Sequence, residues 1–203
     1  MLVSAPLASS RLAPHGIGRH PAAHLGAVGT VVHLLPPFMQ PQQQSNWCWS
    51  ADGTSVGLFF QTGAWTQCGT ACGCLGRTDC CNSPCPGPCN VYGYLDQSLR
   101  FTQSFNSMMG GTATAAQIQT QINMGYPVCV RVAWNGGGAH FLAITGYSYP
   151  DSNPSAFTIY LQDSIYGGSS VLLTDFPSSY HGGATWTHTY YTEPQPAPGV
   201  TAS

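Results

Sequence analysis

Lysine is absent from this 203-residue chain, whose five cations are Arg11, Arg19, Arg77, Arg100 and Arg131. Charged residues of both signs make up 6% of the chain and the formal net charge is −2, against about 25% charged residues in an average soluble domain. With no basic patch to follow a phosphate backbone, a nucleic-acid partner is not expected. No stretch nears the roughly 18 consecutive apolar residues of a bilayer span, so no membrane partner is expected either. What the chain has in excess is cysteine (nine), glycine (24) and proline (16), with 43% apolar and 11% aromatic residues. That is enough apolar material for a packed core, and the length suits one domain with flanking segments. Seven of the cysteines fall between Cys68 and Cys89. Such density in a charge-poor chain points to an oxidising, secreted or extracytoplasmic setting. Met1–Ser10 lacks the basic and apolar regions of an export leader, so the expected signal lies upstream or export takes another route.

Residues 1–36 are rich in Ala, Pro, Gly, His and Ser without periodicity, and read as a flexible leader or a pro-segment. The spacing of His15, His20, His24 and His33 fits no metal site. From Pro36 the prolines impose an extended lead-in. Ser45 or Asn46 can then cap a helix over about 47–61, in which Gly53 and Gly57 weaken intrinsic propensity but let a neighbouring backbone approach. Residues 65–90 read as a Cys/Gly/Pro-rich loop, 91–101 as a short helix, and Thr114 as the cap of a helix over 115–124. Apolar strands follow at 128–134, 140–147 and 157–161, with further strands at 171–173 and 185–191 and a Pro/Ala-rich tail from Glu193. A helical first half followed by closely spaced strands predicts an α+β fold, with the leading helix packed on an antiparallel sheet.

Cys48 stands apart from the other cysteines, between two tryptophans at the start of the first helix. Orphan N–H groups and the dipole at a helix N-terminus stabilise a thiolate, which is the nucleophilic form of cysteine. Gln42, six residues upstream, can fold its amide back beside the sulfur. With the Cys48 N–H it would form an oxyanion hole. His140, directly after a run of glycines, is the candidate base and proton donor. Asp163, at the end of the next strand, is the candidate group to orient the ring. His181 and His188 are rival bases, Asn135 and Asn153 rival orienters, and Gln43 and Gln44 rival amides.

The run Gln42-x-x-x-Asn46-Trp47-Cys48-Trp49-Ser50-Ala51 resembles the active-site signature of bacterial papain-like cysteine proteases of the avirulence-effector type, akin to peptidases that process bacteriocin leaders. The likeness continues through Gln67-Cys68, Asp79-Cys80-Cys81, Cys89-Asn90, Gly125-Tyr126-Pro127-Val128, Gly138-Ala139-His140-Phe141, Ile144-Thr145-Gly146-Tyr147 and Gln162-Asp163. It covers about residues 37–192 in order, which defines the expected catalytic domain, with 68–89 as a loop inside it and 193–203 as a tail. The resemblance implies a papain-like fold with Cys48 as nucleophile, His140 as base, Asp163 as orienter and Gln42 as oxyanion donor. It also implies a protein or peptide substrate, and neither cofactor nor metal is called for. Ser50 and Ser164 depart from the usual alanine and proline, and Cys72, Cys74 and Cys85 are extra.

For the cysteine cluster disulfides are favoured over a zinc site, because the spacings match no paired C-x-x-C framework. Without Cys48 eight cysteines remain, an even set, but Cys129 lies alone on an apolar strand: either it pairs within that set or it is a reduced core residue that leaves one clustered thiol unpaired, and the connectivity is open. The expected activity is a monomeric cysteine endopeptidase working through an acyl-enzyme. Alternatives on the same residues are a non-catalytic, disulfide-stapled binding module and an acyl transferase of transglutaminase type.

Overall fold

The structure is a computed structural model that describes residues 23–24 and 29–196. Of the expected leader, residues 1–22 and 25–28 lie outside the described residues, as do 197–203 of the expected tail. Strand β1 is Ala23–His24 and β2 is Thr30–Leu34. Helix α1 (Cys48–Phe59) and helix α2 (Gln67–Leu75) follow, then a 3-10 turn at Gly87–Cys89 and helix α3 (Leu95–Phe101). Next come β3 (Phe105–Gly110), α4 (Ala115–Asn123), β4 (Val128–Trp134), β5 (Ala139–Pro150), β6 (Thr158–Asp163), β7 (Gly167–Leu172) and β8 (Ala184–Thr192). The α+β expectation holds: every strand pairing is antiparallel, and one sheet runs in the order β1-β2-β5-β4-β8-β3, with β6 and β7 joined to it through β5.

Strand β5 is the hub of this sheet. Along one edge it pairs first with β4 (Ala139–Ile144) and then with β2 (Gly146–Pro150), while β6 runs along the other edge (Ala143–Ser148). Gly146 sits opposite Leu34, the last residue of β2. A Cβ there would meet the His33 carbonyl at 2.6 Å and a Leu34 methyl carbon at 2.5 Å, so only glycine lets the strands close up. β2 therefore belongs to the sheet, which starts before the Pro36 boundary read from composition. At the other end Glu193 and Gln195 donate backbone hydrogen bonds to Ser104 and Gln103, so the first residues beyond β8 are tied down.

Helix α1 is buried on all sides, Leu58 being its one half-buried residue. Its small residues make that possible. A Cβ on Gly53 would lie 1.9 Å from Ser98 Oγ, so the crossing of α1 with α3 requires glycine. Its hydroxyls are engaged: Ser50 donates to the Gln67 carbonyl at 2.7 Å, Thr54 shares a hydrogen bond with Thr70, and Ser55 accepts from the Gln40 N–H. The expected caps are corrected, because Trp47 occupies the cap position without a side-chain bond. Asn46 instead pairs with Asn90, N–H to Oδ1 at 3.0 Å and Nδ2 to the carbonyl at 2.9 Å. The Thr114 cap is present as a full capping box with Gln117.

The loop expected over 65–90 is corrected as well. It contains α2, begun by Thr66, whose side chain accepts from the Gly69 N–H, and ended by Gly76 in the left-handed region (φ 63°). Strand β3 was not expected either, its glycine, serine and methionines carrying no alternation. Two disulfides, Cys68–Cys81 and Cys80–Cys89, start from adjacent cysteines and tie α2 and the 3-10 turn to one point. Of the two alternatives Cys129 takes the reduced one, buried in the core, but three clustered thiols rather than one stay free, Cys72, Cys74 and Cys85. Among the described residues no helix is long and apolar enough to cross a membrane.

Peptide mapping without reduction should recover the Cys68–Cys81 and Cys80–Cys89 linkages and leave Cys48, Cys72, Cys74, Cys85 and Cys129 alkylated after denaturation. Closing loops of this size stabilises a fold by about 2–4 kcal/mol each. Chemical denaturation with and without reductant should therefore differ by several kcal/mol, and equal curves would mean the bridges constrain nothing.

Candidate active site

Cys48 is the first residue of α1, 7% exposed, at one end of a cleft of about 880 Å³. Trp47 and Trp49 flank it, each 1% exposed. Their indole N–H groups donate to the carbonyls of Cys89 (2.7 Å) and Val91 (3.0 Å), so the segment carrying the Cys80–Cys89 bridge fixes where the helix begins. Both tryptophans are packing residues, and Trp49 also lines the cleft.

His140 is the second residue of β5 and Asp163 the last of β6; the antiparallel pairing of these strands sets them side by side. His140 Nε2 lies 2.9 Å from Asp163 Oδ1. The Asp163 carboxylate accepts three more hydrogen bonds, from the N–H groups of Ile165 (2.7 Å) and Tyr166 (3.0 Å) and from the Tyr180 hydroxyl (2.8 Å). Accepting from residues two and three positions ahead is an Asx-type turn, so the side chain that holds the imidazole also shapes the connection to β7. Trp134 stacks near the imidazole with centroids 6.0 Å apart, and Tyr166 meets its edge at 6.2 Å.

These surroundings decide the protonation states. Burial disfavours a charged His140, but the Asp163 carboxylate and the nearby Cys48 sulfur outweigh it and push the imidazole up to about 10. Burial would raise Asp163, yet its hydrogen bonds from His140 and from the Ile165 and Tyr166 amides hold it below the usual carboxylate range. Burial and the Asp163 carboxylate push Tyr180 up, so its hydroxyl remains a donor.

The rival residues lie elsewhere or do other things. Asn135 bonds through its backbone N–H to the Gly183 carbonyl, and Asn153 closes the turn after β5. The Gln43 N–H donates to Gln67 Oε1. The His181 ring stacks on Tyr166, and His188, which lines the cleft, has Nδ1 3.1 Å from the Thr187 hydroxyl oxygen. Gln42 stands beside the site with both amide hydrogens engaged, on the carbonyls of Gln44 and Ser45, each at 2.9 Å. Its Oε1 accepts from the Ser164 hydroxyl at 3.3 Å, and its N–H donates to the Ser164 carbonyl at 3.0 Å. An oxyanion could receive an amide hydrogen from Gln42 only after one carbonyl bond is given up.

Sequence reasoning missed Asp52. It lies one helical turn beyond Cys48, is fully buried, and among the described residues neither carboxyl oxygen has a hydrogen-bond partner. Burial pushes it well above the usual carboxylate range; His140 pulls it down and Asp163 pushes it further up. Four-residue spacing from Cys48 was the available signal, since it puts both on one helix face. Tyr180 gave no sequence signal, being brought to Asp163 by the loop before β8.

A cysteine heading a buried helix, opposite a histidine–aspartate pair on an antiparallel sheet, is the layout of a papain-like cysteine protease. A family model described as papain-like cysteine protease AvrRpt2 matches residues 33–181, and the chain belongs to that family. No curated protein matches the chain.

Folding stability follows from these shifts. His140 is raised, so its contribution is complete below its ordinary value of 6.5 and lost as pH climbs through about 10. Asp163 is lowered, so its contribution is present above 3.8 and lost as pH falls. Asp52 is raised, and opposes the fold increasingly as pH rises above 3.8. The melting temperature should therefore peak in mildly acid solution, roughly pH 4–6.5, and decline toward pH 10. Asp52→Asn should flatten the alkaline decline, and a peak above pH 8 would contradict these assignments.

Proposed function

We propose that this protein is a cysteine endopeptidase acting through an acyl-enzyme, with Cys48 as nucleophile, His140 as acid and base, Asp163 as orienter and Gln42 as oxyanion donor. The observation that carries the reading is the buried His140–Asp163 pair beside Cys48, where the cleft opens. With Nε2 bonded to Asp163, Nδ1 is the ring nitrogen left for the sulfur. A protonated His140 stabilises the Cys48 thiolate, which attacks the peptide carbonyl. The tetrahedral oxyanion takes hydrogen bonds from the Cys48 N–H and from Gln42, once the Gln42 amide has turned from the Gln44 or Ser45 carbonyl. The C–N bond breaks as His140 gives its proton to the leaving amine, leaving a thioester on Cys48. His140, now neutral, takes a proton from water as that water attacks the thioester, and a free carboxylate departs with the thiolate restored. Asp163 keeps its charge throughout, holding the tautomer and supporting the imidazolium.

We place the protein outside the cytoplasm. Two disulfides in one loop are suited to an oxidising compartment, and the acid-favouring Asp52 and the scarcity of charge suit acid surroundings.

Cys48→Ala should lower the rate of internal cleavage of unstructured polypeptides by about 10⁴-fold or more, measured by mass spectrometry of the products. Iodoacetamide should label Cys48 ahead of the other four free thiols in the folded protein. New termini should be free carboxylates even when a primary amine is added, since amide products would indicate acyl transfer. Gln42→Ala should reduce kcat on the order of 10²-fold with KM little changed. Unaltered cleavage by Cys48→Ala would remove the proposal.

A further inference from the structure

The described region holds three arginines, and two are accounted for. Arg77 forms a two-pronged ion pair with Asp79 at 2.7 and 2.8 Å, and the Arg100 guanidinium lies 3.9 Å from the centre of the Phe105 ring. Arg131 differs from both. It is half-buried on β4 and lines the cleft that begins at Cys48. Strand register explains its place: Arg131 is paired with Phe141 of β5 on one side and His188 of β8 on the other, so the three form a row across the cleft floor. Its Nη1 donates to the Thr187 hydroxyl at 2.9 Å, and among the described residues it enters no ion pair within 4 Å. Asp96, the one carboxylate on the cleft wall, is no closer than that to any guanidinium nitrogen.

A guanidinium has five N–H donors in a fork that matches a carboxylate. Held half-desolvated with a neutral hydroxyl for company, it favours an anionic guest over an apolar one, because an apolar side chain would cover the charge and offer it no acceptor. Tyr92 and Tyr94, 77% and 67% exposed, stand at the rim and supply flat apolar walls for the rest of a peptide.

Resting on the proteolytic reading above, we propose that Arg131 sets substrate choice, selecting peptides with a glutamate or aspartate side chain within three residues of the cleaved bond. The carboxylate occupies the cleft floor against the Arg131 fork, while the backbone crosses Cys48.

The test is cleavage of a peptide library by the wild-type protein, with products sequenced by mass spectrometry, followed by matched peptides differing only as Glu, Gln, Leu or Arg at the selected position. The expected result is acidic enrichment at one position and at least a tenfold drop in kcat/KM from Glu to Gln, a comparison that needs no variant. In Arg131→Met the Glu-to-Gln ratio should fall to near one, with Arg131→Lys between the two. Cleavage without acidic preference overturns this proposal and leaves the peptidase reading standing. So does a preference for Arg, which would hand the selection to Asp96. No cleavage of any peptide by the wild-type protein defeats the peptidase reading and this proposal with it.

Discussion

The contact between His140 and Asp163 is the interaction on which the arrangement of the site depends. Neither residue could hold its place alone. The imidazole sits at the start of a strand beside a glycine-rich turn, where nothing in the local backbone fixes its orientation. The carboxylate is fully desolvated at the end of another, and would be costly there without donors. Together they satisfy each other, and the remaining lone pairs of Asp163 are taken by two backbone amides and Tyr180. The same residues thus define a tight turn and the chemistry next to it. The adjoining residue extends the arrangement: Ser164 holds Gln42 through both its carbonyl and its hydroxyl. One turn therefore places the carboxylate that holds the His140 ring and steadies the proposed oxyanion donor. Where Ser164 replaces the proline common in such sequences, a hydroxyl is gained that this structure uses on Gln42.

Cys48 is positioned from the other side of the molecule. Helix α1 tolerates complete burial because its residues are small and its hydroxyls bond outward to α2 and to the lead-in segment. Ser50, a departure from the usual alanine, is part of this scheme, bonding the Gln67 carbonyl. Trp47 and Trp49 then hang the head of the helix on the segment that follows the Cys80–Cys89 bridge. The disulfides act on the site through backbone carbonyls, without touching the sulfur of Cys48.

Much of this was legible in the sequence, and the misses have physical causes. The first helix was legible near Cys48 although its expected caps do not form, and the Thr114 cap and the strands after Pro127 follow from local rules of capping, periodicity and turn residues. The meeting of His140 with Asp163 was legible because two strands with a short connection pair antiparallel. Helix α2 was not, since its glycines and cysteines are poor helix formers. Its existence rests on Thr66, Gly76 and a bridge to Cys81, and the bridge is a long-range constraint. The edge strand β3 was hidden because it is half exposed and carries glycine, serine and methionine where alternation would be sought. The engagement of Gln42 by nearby carbonyls is a matter of side-chain torsion that no spacing rule reports. Tyr180 meets Asp163 only because the whole segment after β7 folds back.

Asp52 shows how a chain so poor in charge apportions what it has. Two of its six aspartates lie in the same buried neighbourhood, within electrostatic reach of one imidazole. Burial is the main force against charge on Asp52 and the Asp163 carboxylate adds to it, so the surroundings decide which of the two ionises. Asp163 has four donors and becomes the anion; Asp52 has none and keeps its proton. The division leaves one negative and one positive charge at the His140–Asp163 pair, with a neutral acid one helical turn beyond Cys48. If Asp52 were also ionised, a second negative charge would oppose the thiolate proposed for Cys48. A neutral Asp52 is therefore compatible with a reactive Cys48, and the apolar burial that keeps it neutral is part of what the site requires of the core around it.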